Sequence, residues 1–204
     1  PFTAAIALSM SISDNSEVGI TGNGTIGTGT SALFDGGGSG IAFDSGNAFR
    51  YGRLRLANAH GSELLNLPVS METQYWTGSM FALNSADNCT RIAASNIALG
   101  NYQKNLAACE TAVSISGRFS GGKSNLQLTK PGAGNDGSAD LAVNLGTSAS
   151  GNSCAPGAVP ATAANQSYLQ GKWTGSNYDQ NPTARATFGV YKNANEFIYL
   201  REMY

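Results

Sequence analysis

The chain has 204 residues, with 12 Lys+Arg against 13 Asp+Glu, one His, three Cys and 26 Gly. Charged residues are 12% of the chain, about half the roughly 25% of an ordinary soluble domain, and without a basic excess there is no electrostatic footprint for nucleic-acid binding. No apolar run approaches the ~18–20 residues of a spanning helix, cationic helical segments for a membrane surface are lacking, and at 41% hydrophobic the chain is not disordered by composition.

The dominant signal has period two. Phe2, Ala4, Ile6, Leu8, Met10 and Ile12 fall on even positions, with small residues between them, which predicts a long strand with one apolar face. Asp14 to Ser16 supply turn chemistry, and Gly22-Asn23-Gly24 interrupts the next apolar segment, Val18 to Ile26, with a tight-turn signal. Residue 1 is Pro and no charged leader precedes the first alternating segment, so the expectation is a processed product or the C-terminal piece of a longer chain.

Between Phe49 and Leu56 the phase changes: Phe49 and Tyr51 are odd, Leu54 and Leu56 even, with Gly52 at the switch. That pattern predicts a β-bulge, with Arg50, Arg53 and Arg55 on the outer face. Such a row suits recognition of carboxylates or phosphates, or pairing with acids on the next strand. From Leu65 the odd set Leu65, Leu67, Val69, Met71, Thr73 and Tyr75 is expected in the core, and Phe81 with Leu83 follows Thr77-Gly78 as a hairpin partner. Val113, Ile115 and Phe119, then Leu126 and Leu128, then Leu141, Val143 and Leu145 continue the strands, with the loop Pro131–Gly137 before the last set.

The best helical candidate, Ala93 to Ala108, is broken by Gly100 and poorly amphipathic. Gly146 to Ala164 resembles a linker that returns as a long loop, and marks the one place where a single domain over 1–204 would subdivide. The C-terminal Arg185–Tyr204 segment reads as a hairpin of long strands. Some ten or eleven short strands separated by Gly- and Asn-rich turns predict an all-β, antiparallel sandwich or jelly-roll-like architecture with little helix.

Cys89, Cys109 and Cys154 form no C-x-x-C, and one His cannot complete a zinc site with the usual spacings. One structural disulfide plus one leftover thiol is expected. Cys89–Cys109 would close a short loop worth roughly 3 kcal/mol, while Cys89–Cys154 and Cys109–Cys154 stay open because sequence does not give connectivity. Disulfide use and the neutral polar surface fit an extracytoplasmic home. Asn23-Gly24-Thr25 and Asn88-Cys89-Thr90 match the glycosylation pattern, a match frequent by chance in such a chain.

His60, the single histidine, stands in Ala59-His60-Gly61-Ser62 with no nucleophile elbow in the chain. Asp35 and Asp136 lie in Gly-rich turns without the dense run of a calcium loop. No enzyme activity, cofactor or metal is expected. Trp76, Trp173 and Tyr178 could offer flat platforms to sugar rings, although large aromatics at strand spacing commonly serve packing.

Ile41-Ala42-Phe43-Asp44-Ser45-Gly46 leads into Phe49–Trp76; the Asp87-Asn88-Cys89-Thr90 step, Leu126–Ala139 and the terminal YDQNPTARATFGVYKNANEFIYLREMY of Tyr178–Tyr204 follow. Together these stretches, from about Ile6 to Tyr204, resemble the C-terminal domain of MshQ-like proteins, encoded with the mannose-sensitive haemagglutinin type IV pilus machinery of Gram-negative bacteria. The resemblance implies a domain that ends a large secreted protein, exposed at the cell surface, with an adhesive or structural role and no catalytic residues to carry over. The function expected is an extracellular, pilus-associated module that assembles with copies of itself or with pilus components, using Phe2, Ala4, Ile6, Leu8 and Met10 as an assembly strand. Small residues between those positions and the absence of charge before Asp14 favour a close approach. The alternative is an adhesin domain that binds cell-surface glycans with its exposed aromatics; a hydrolase ranks last.

Overall fold

The computed structural model describes residues 49–154 and 157–189 fully and, by their backbone, residues 4–6, 10–12, 24–26 and 32–34. The chain forms two compact units, Pro1–Tyr51 with Trp76–Met80, and Gly52–Tyr75 with Phe81–Tyr204.

In the smaller unit, β1 (Ala4–Ile6) pairs antiparallel with β4 (Ala32–Phe34), and β2 (Met10–Ile12) with β3 (Gly24–Ile26). The alternation predicted as one strand over Phe2–Ile12 is therefore shared between two ladders with different partners. Period two decides which face a residue takes; it does not name the partner strand. Phe2 and Leu8 lie outside the described residues. Within the same unit the Trp76 amide donates to the Tyr51 carbonyl at 2.8 Å, and the Thr77 amide and hydroxyl both donate to the Met80 carbonyl at 2.9 Å. Gly78, at φ +111°, takes the left-handed turn position that an L side chain resists.

The larger unit contains β5 (Gly52–Leu56), β6 (Ala59–Gly61), β7 (Leu67–Pro68), all but the last residue of β8 (Met71–Trp76), and β9 (Phe81–Leu83). They are followed by β10 (Ile97–Lys104), β11 (Val113–Ser114), β12 (Gln127–Leu128), β13 (Gly137–Val143), β14 (Ser150–Ser153), β15 (Val159–Ala161) and β16 (Thr183–Phe188). The sheets run β10-β13-β16-β6, β5-β8-β9 and β11-β12-β7, with β14-β15 as a separate hairpin. The three sheets share one core, in which Leu54, Met71, Ile97, Phe119, Leu128, Leu141, Val143 and Phe188 are essentially inaccessible. The protein is all-β, built of several antiparallel sheets as in a β-sandwich, and among the described residues helix is confined to the 3-10 turns Ala94–Asn96 and Ser167–Leu169.

Among the described strands one pairing departs from the antiparallel rule: β6 runs parallel to β16, Ala59 opposite Ala186 and Gly61 opposite Phe188. His60, on β6, secures this edge. Its Nε2 lies 2.9 Å from the Gly189 carbonyl, and so carries the hydrogen, while the Gly189 amide donates to the Gly61 carbonyl at 2.8 Å.

Several expectations are corrected. The Gly52 bulge is absent, because the register from Gly52–Tyr75 to Leu56–Met71 is unbroken and the strand simply starts at Gly52. Leu65 is 67% exposed: it sits in the turn closed by the Leu65 amide on the Ser62 carbonyl, ahead of the strand whose phase it shares. Most of Ala93–Ala108 is a 3-10 turn (Ala94–Asn96) followed by β10. Ile97, Ala98 and Leu99 are buried in succession because the core covers one face and β14 the other, which erases the alternation that would identify a strand. Gly146 to Ala164 contains the β14–β15 hairpin inside the larger unit. Of Arg185–Tyr204, β16 carries the first part; residues 190–204 lie outside the described residues.

Cys109 is bonded to Cys154, their Cα atoms 5.1 Å apart, and Cys89 is an exposed thiol. The short-loop Cys89–Cys109 pairing is thus not the one formed. Cys154 follows β14 directly, and β14 packs on β10, whose exit turn carries Cys109. Cys89 instead lies in a separate turn, where Asp87 Oδ1 accepts from the Cys89 and Thr90 amides.

Candidate functional site

The outer face of β5-β8-β9 is built by alternation. Leu54 and Leu56 point into the core, so Arg53 and Arg55 point out. The register sets Arg53 opposite Gln74 and Arg55 opposite Glu72, and the side chains join accordingly. Arg53 Nε donates to Gln74 Oε1 at 2.8 Å, Gln74 Nε2 donates to Glu72 Oε1 at 2.7 Å, and Arg55 Nη1 lies 3.4 Å from the same carboxylate oxygen.

A loop over residues 171–180 frames this row. Its ends are tied by reciprocal backbone hydrogen bonds between Gly171 and Gln180, at 3.0 and 3.1 Å. The loop carries Trp173 and Tyr178, the larger unit's two candidate platform residues. The Arg53 guanidinium carbon is 4.4 Å from the centre of a Trp173 ring and 3.8 Å from the centre of the Phe81 ring, so the cation lies between two aromatics. Tyr178, 56% exposed, tilts at 49° to Phe81 with ring centres 6.4 Å apart. Burial, and then repulsion from Arg55, lowers the Arg53 pKa from its usual value; an arginine remains charged regardless.

Gly171 is required for this arrangement. A Cβ there would stand 2.6 Å from Trp173 Nε1, inside van der Waals contact, so any other residue would displace the indole from this position. Trp173 Nε1 is buried with no hydrogen-bond partner, an uncommon cost for an indole.

Trp76 belongs to the smaller unit, at the end of β8, and is 37% exposed; Arg50 belongs there too. Sequence reasoning turned Arg53, Arg55 and Gln74 away from the core and offered Trp173 and Tyr178 as platforms, but it did not bring Phe81 or Gln74 together with them. Gln74 had a signal, since it lies out of phase with the buried Met71–Thr73 set. Phe81 had none, since its hairpin pattern says nothing of what its ring touches. Among the described residues, no three His, Cys, Asp or Glu side chains gather as metal ligands, and no helix is long and apolar enough to cross a membrane. Asp136 accepts from Asn105 Nδ2 at 2.7 Å; Asp35 lies outside the described residues.

The sheets and the arginine–aromatic face define a disulfide-bearing β-sandwich module with a built surface cluster. Residues 50–203 match the family described as DUF6701, fourth domain, and the chain belongs to that family. Neither a curated protein nor a solved structure matches it.

Proposed function

We propose that this chain is an adhesive and structural module on the surface of a Gram-negative bacterium, associated with type IV pili of the mannose-sensitive haemagglutinin kind, and that it contacts cell-surface glycans through the Arg53–Trp173–Tyr178 face. The pilus association is supported by the resemblance of Phe49–Trp76 and Tyr178–Tyr204 to MshQ-like proteins. The adhesive reading rests on one observation: Trp173 is held against Arg53, with Tyr178 exposed on the same closed loop. Rings fixed by packing lose little entropy when a sugar stacks on them, and the adjoining guanidinium favours sugars that carry a carboxylate or sulfate.

A glycan array tests this. Wild type is expected to bind acidic glycans, and the double variant Trp173→Ala, Tyr178→Ala to lose that binding with an unchanged far-UV circular dichroism spectrum. An array on which the two proteins behave alike refutes the reading.

Self-assembly through the N-terminal segment is the second reading, favoured by the ladders β1–β4 and β2–β3. Each has only two strands among the described residues, and a two-stranded ladder is marginal in water without further pairing. Deleting residues 1–13 is expected to convert an assembling protein into a folded monomer on size-exclusion chromatography; a truncated protein that still assembles excludes strand donation. No catalytic role is proposed for His60, whose ring nitrogen serves the backbone at Gly189.

A further inference from the structure

A second concave surface lies on the four-stranded sheet. Ala98 and Gly100 of β10 stand opposite Ala142 and Asp140 of β13, which in turn stand opposite Thr183 and Arg185 of β16. These positions alternate with the core residues Leu99, Leu141 and Ala184, so they form the sheet's outer face. Three of the six are Ala or Gly, and the floor is therefore low. The β14–β15 hairpin rises beside it, with Gly151 against Ala98: a Cβ on Gly151 would lie 2.8 Å from the Ala98 Cβ, and its φ is +64°. The hollow is open to solvent on one side and about 650 Å³ in volume, within the range of small-molecule sites.

Its polar groups are held in place. Arg185 Nε donates to Asp140 Oδ1 at 2.7 Å and Nη2 to Oδ2 at 3.1 Å, and Asn101 Nδ2 donates to Oδ2 at 3.0 Å. The Arg185 amide donates to Asn58 Oδ1 at 2.9 Å. Asn101 has a left-handed backbone, φ +50°, where the β10–β13 register slips between Gly100 and Gln103. A bulge with a non-glycine residue at positive φ is a costly way to aim one side chain into a cavity. Asn58, Asn152 and Thr183 also line the cavity.

From this geometry we infer that the cavity binds a neutral polyhydroxyl ligand the size of a mono- or disaccharide. Asp140 and Arg185 cancel each other's charge, so an anion meets the carboxylate and a cation meets the guanidinium. The amides of Asn58, Asn101 and Asn152 and the Thr183 hydroxyl offer donors and acceptors side by side. A sugar hydroxyl both donates and accepts, and suits such a mixture. The inference does not depend on the Arg53 face, which lies on a different sheet.

The test is an amide-resolved NMR titration of the whole chain with glucose, mannose, galactose and N-acetylglucosamine, with sodium phosphate and acetate as charged controls. At least one neutral sugar is expected to shift the amides of residues 100–101, 140–142 and 183–185 saturably, and phosphate and acetate are not. Ala142→Trp, which fills the cavity, is expected to abolish the shifts. Asp140→Asn weakens binding roughly tenfold by removing the charge-assisted hydrogen bonds, and Trp173→Ala leaves it unchanged. The inference is overturned if no neutral sugar shifts these amides, if the charged controls shift them equally, or if Trp173→Ala removes the effect. Should Ala142→Trp fail to fold, unaltered affinity in the near-isosteric Asp140→Asn variant is equally decisive.

Discussion

Arg53 is the residue on which the β5-β8-β9 surface turns, because three different elements converge on one guanidinium: β8 through Gln74, β9 through Phe81 and the 171–180 loop through Trp173. Replacing it by Ala removes a cation from between two rings and leaves the Gln74 carbonyl without its donor. The expected cost is about 1–2 kcal/mol. In a Trp76→Phe background, where Trp173 is the sole indole, Arg53→Ala is expected to change the position and intensity of the tryptophan emission. Arg53→Lys should recover less than half of the lost stability, since an ammonium keeps the charge but not the planar stack. Emission indistinguishable between wild type and Arg53→Ala argues against the stack. The outward direction of Arg53 was legible in its alternation with Leu54 and Leu56. Its aromatic partners were not, because nothing local to β5 specifies what lies above it.

At the scale of elements, the disulfide and the β10–β14 contact are one feature. Cys109, itself at φ +69°, and Cys154 are separated by 45 residues, a loop for which chain-entropy reasoning gives about 4 kcal/mol. For a chain of this size the double variant Cys109→Ser, Cys154→Ser is therefore expected to lower Tm by roughly 8–15 °C, and Cys89→Ser to leave it within error. Differential scanning calorimetry checks both, and a large loss in Cys89→Ser would contradict the observed connectivity. The β10 segment also shows why local pattern misled: with both faces covered, Ile97, Ala98 and Leu99 carry no strand period to read. Elements with one wet face, such as β5, β13 and β16, kept theirs.

For the whole molecule, the carboxylates set the acid limit. The Asp140 pKa is lowered from its usual value of 3.8, first by the hydrogen bond from Arg185 and also by that from Asn101, which together exceed the opposing effect of burial. At Asp87 burial acts upward most strongly, but hydrogen bonds from the Thr90 hydroxyl and the Thr90 and Cys89 amides outweigh it, and the net shift is downward. A carboxylate whose folded pKa lies below its unfolded value stabilises the fold above the unfolded pKa and loses that contribution as pH falls through the folded one. Tm is thus expected to hold constant from neutral pH to about 5 and to decline below about 4. Asp87→Asn should flatten the decline in a thermal melt series, and an unchanged slope would show that Asp87 titrates alike in both states.

The amino-acid order by itself determined the class of architecture. Period-two alternation, turn residues between short apolar runs and the want of helical period specify strands, and they specify which side of each strand meets the core, because both are properties of neighbours along the chain. Leu54, Leu56, Leu141, Val143 and Leu145 needed nothing more. Tertiary structure decided everything that depends on which strands meet: the parallel β6–β16 edge, Cys109–Cys154 over the shorter loop, Phe81 and Trp173 about Arg53, and the meeting of Asp140, Arg185 and Asn101 in one cavity. Each is a choice among many partners of similar local chemistry, and it is settled by how the core packs around residues far apart in the chain.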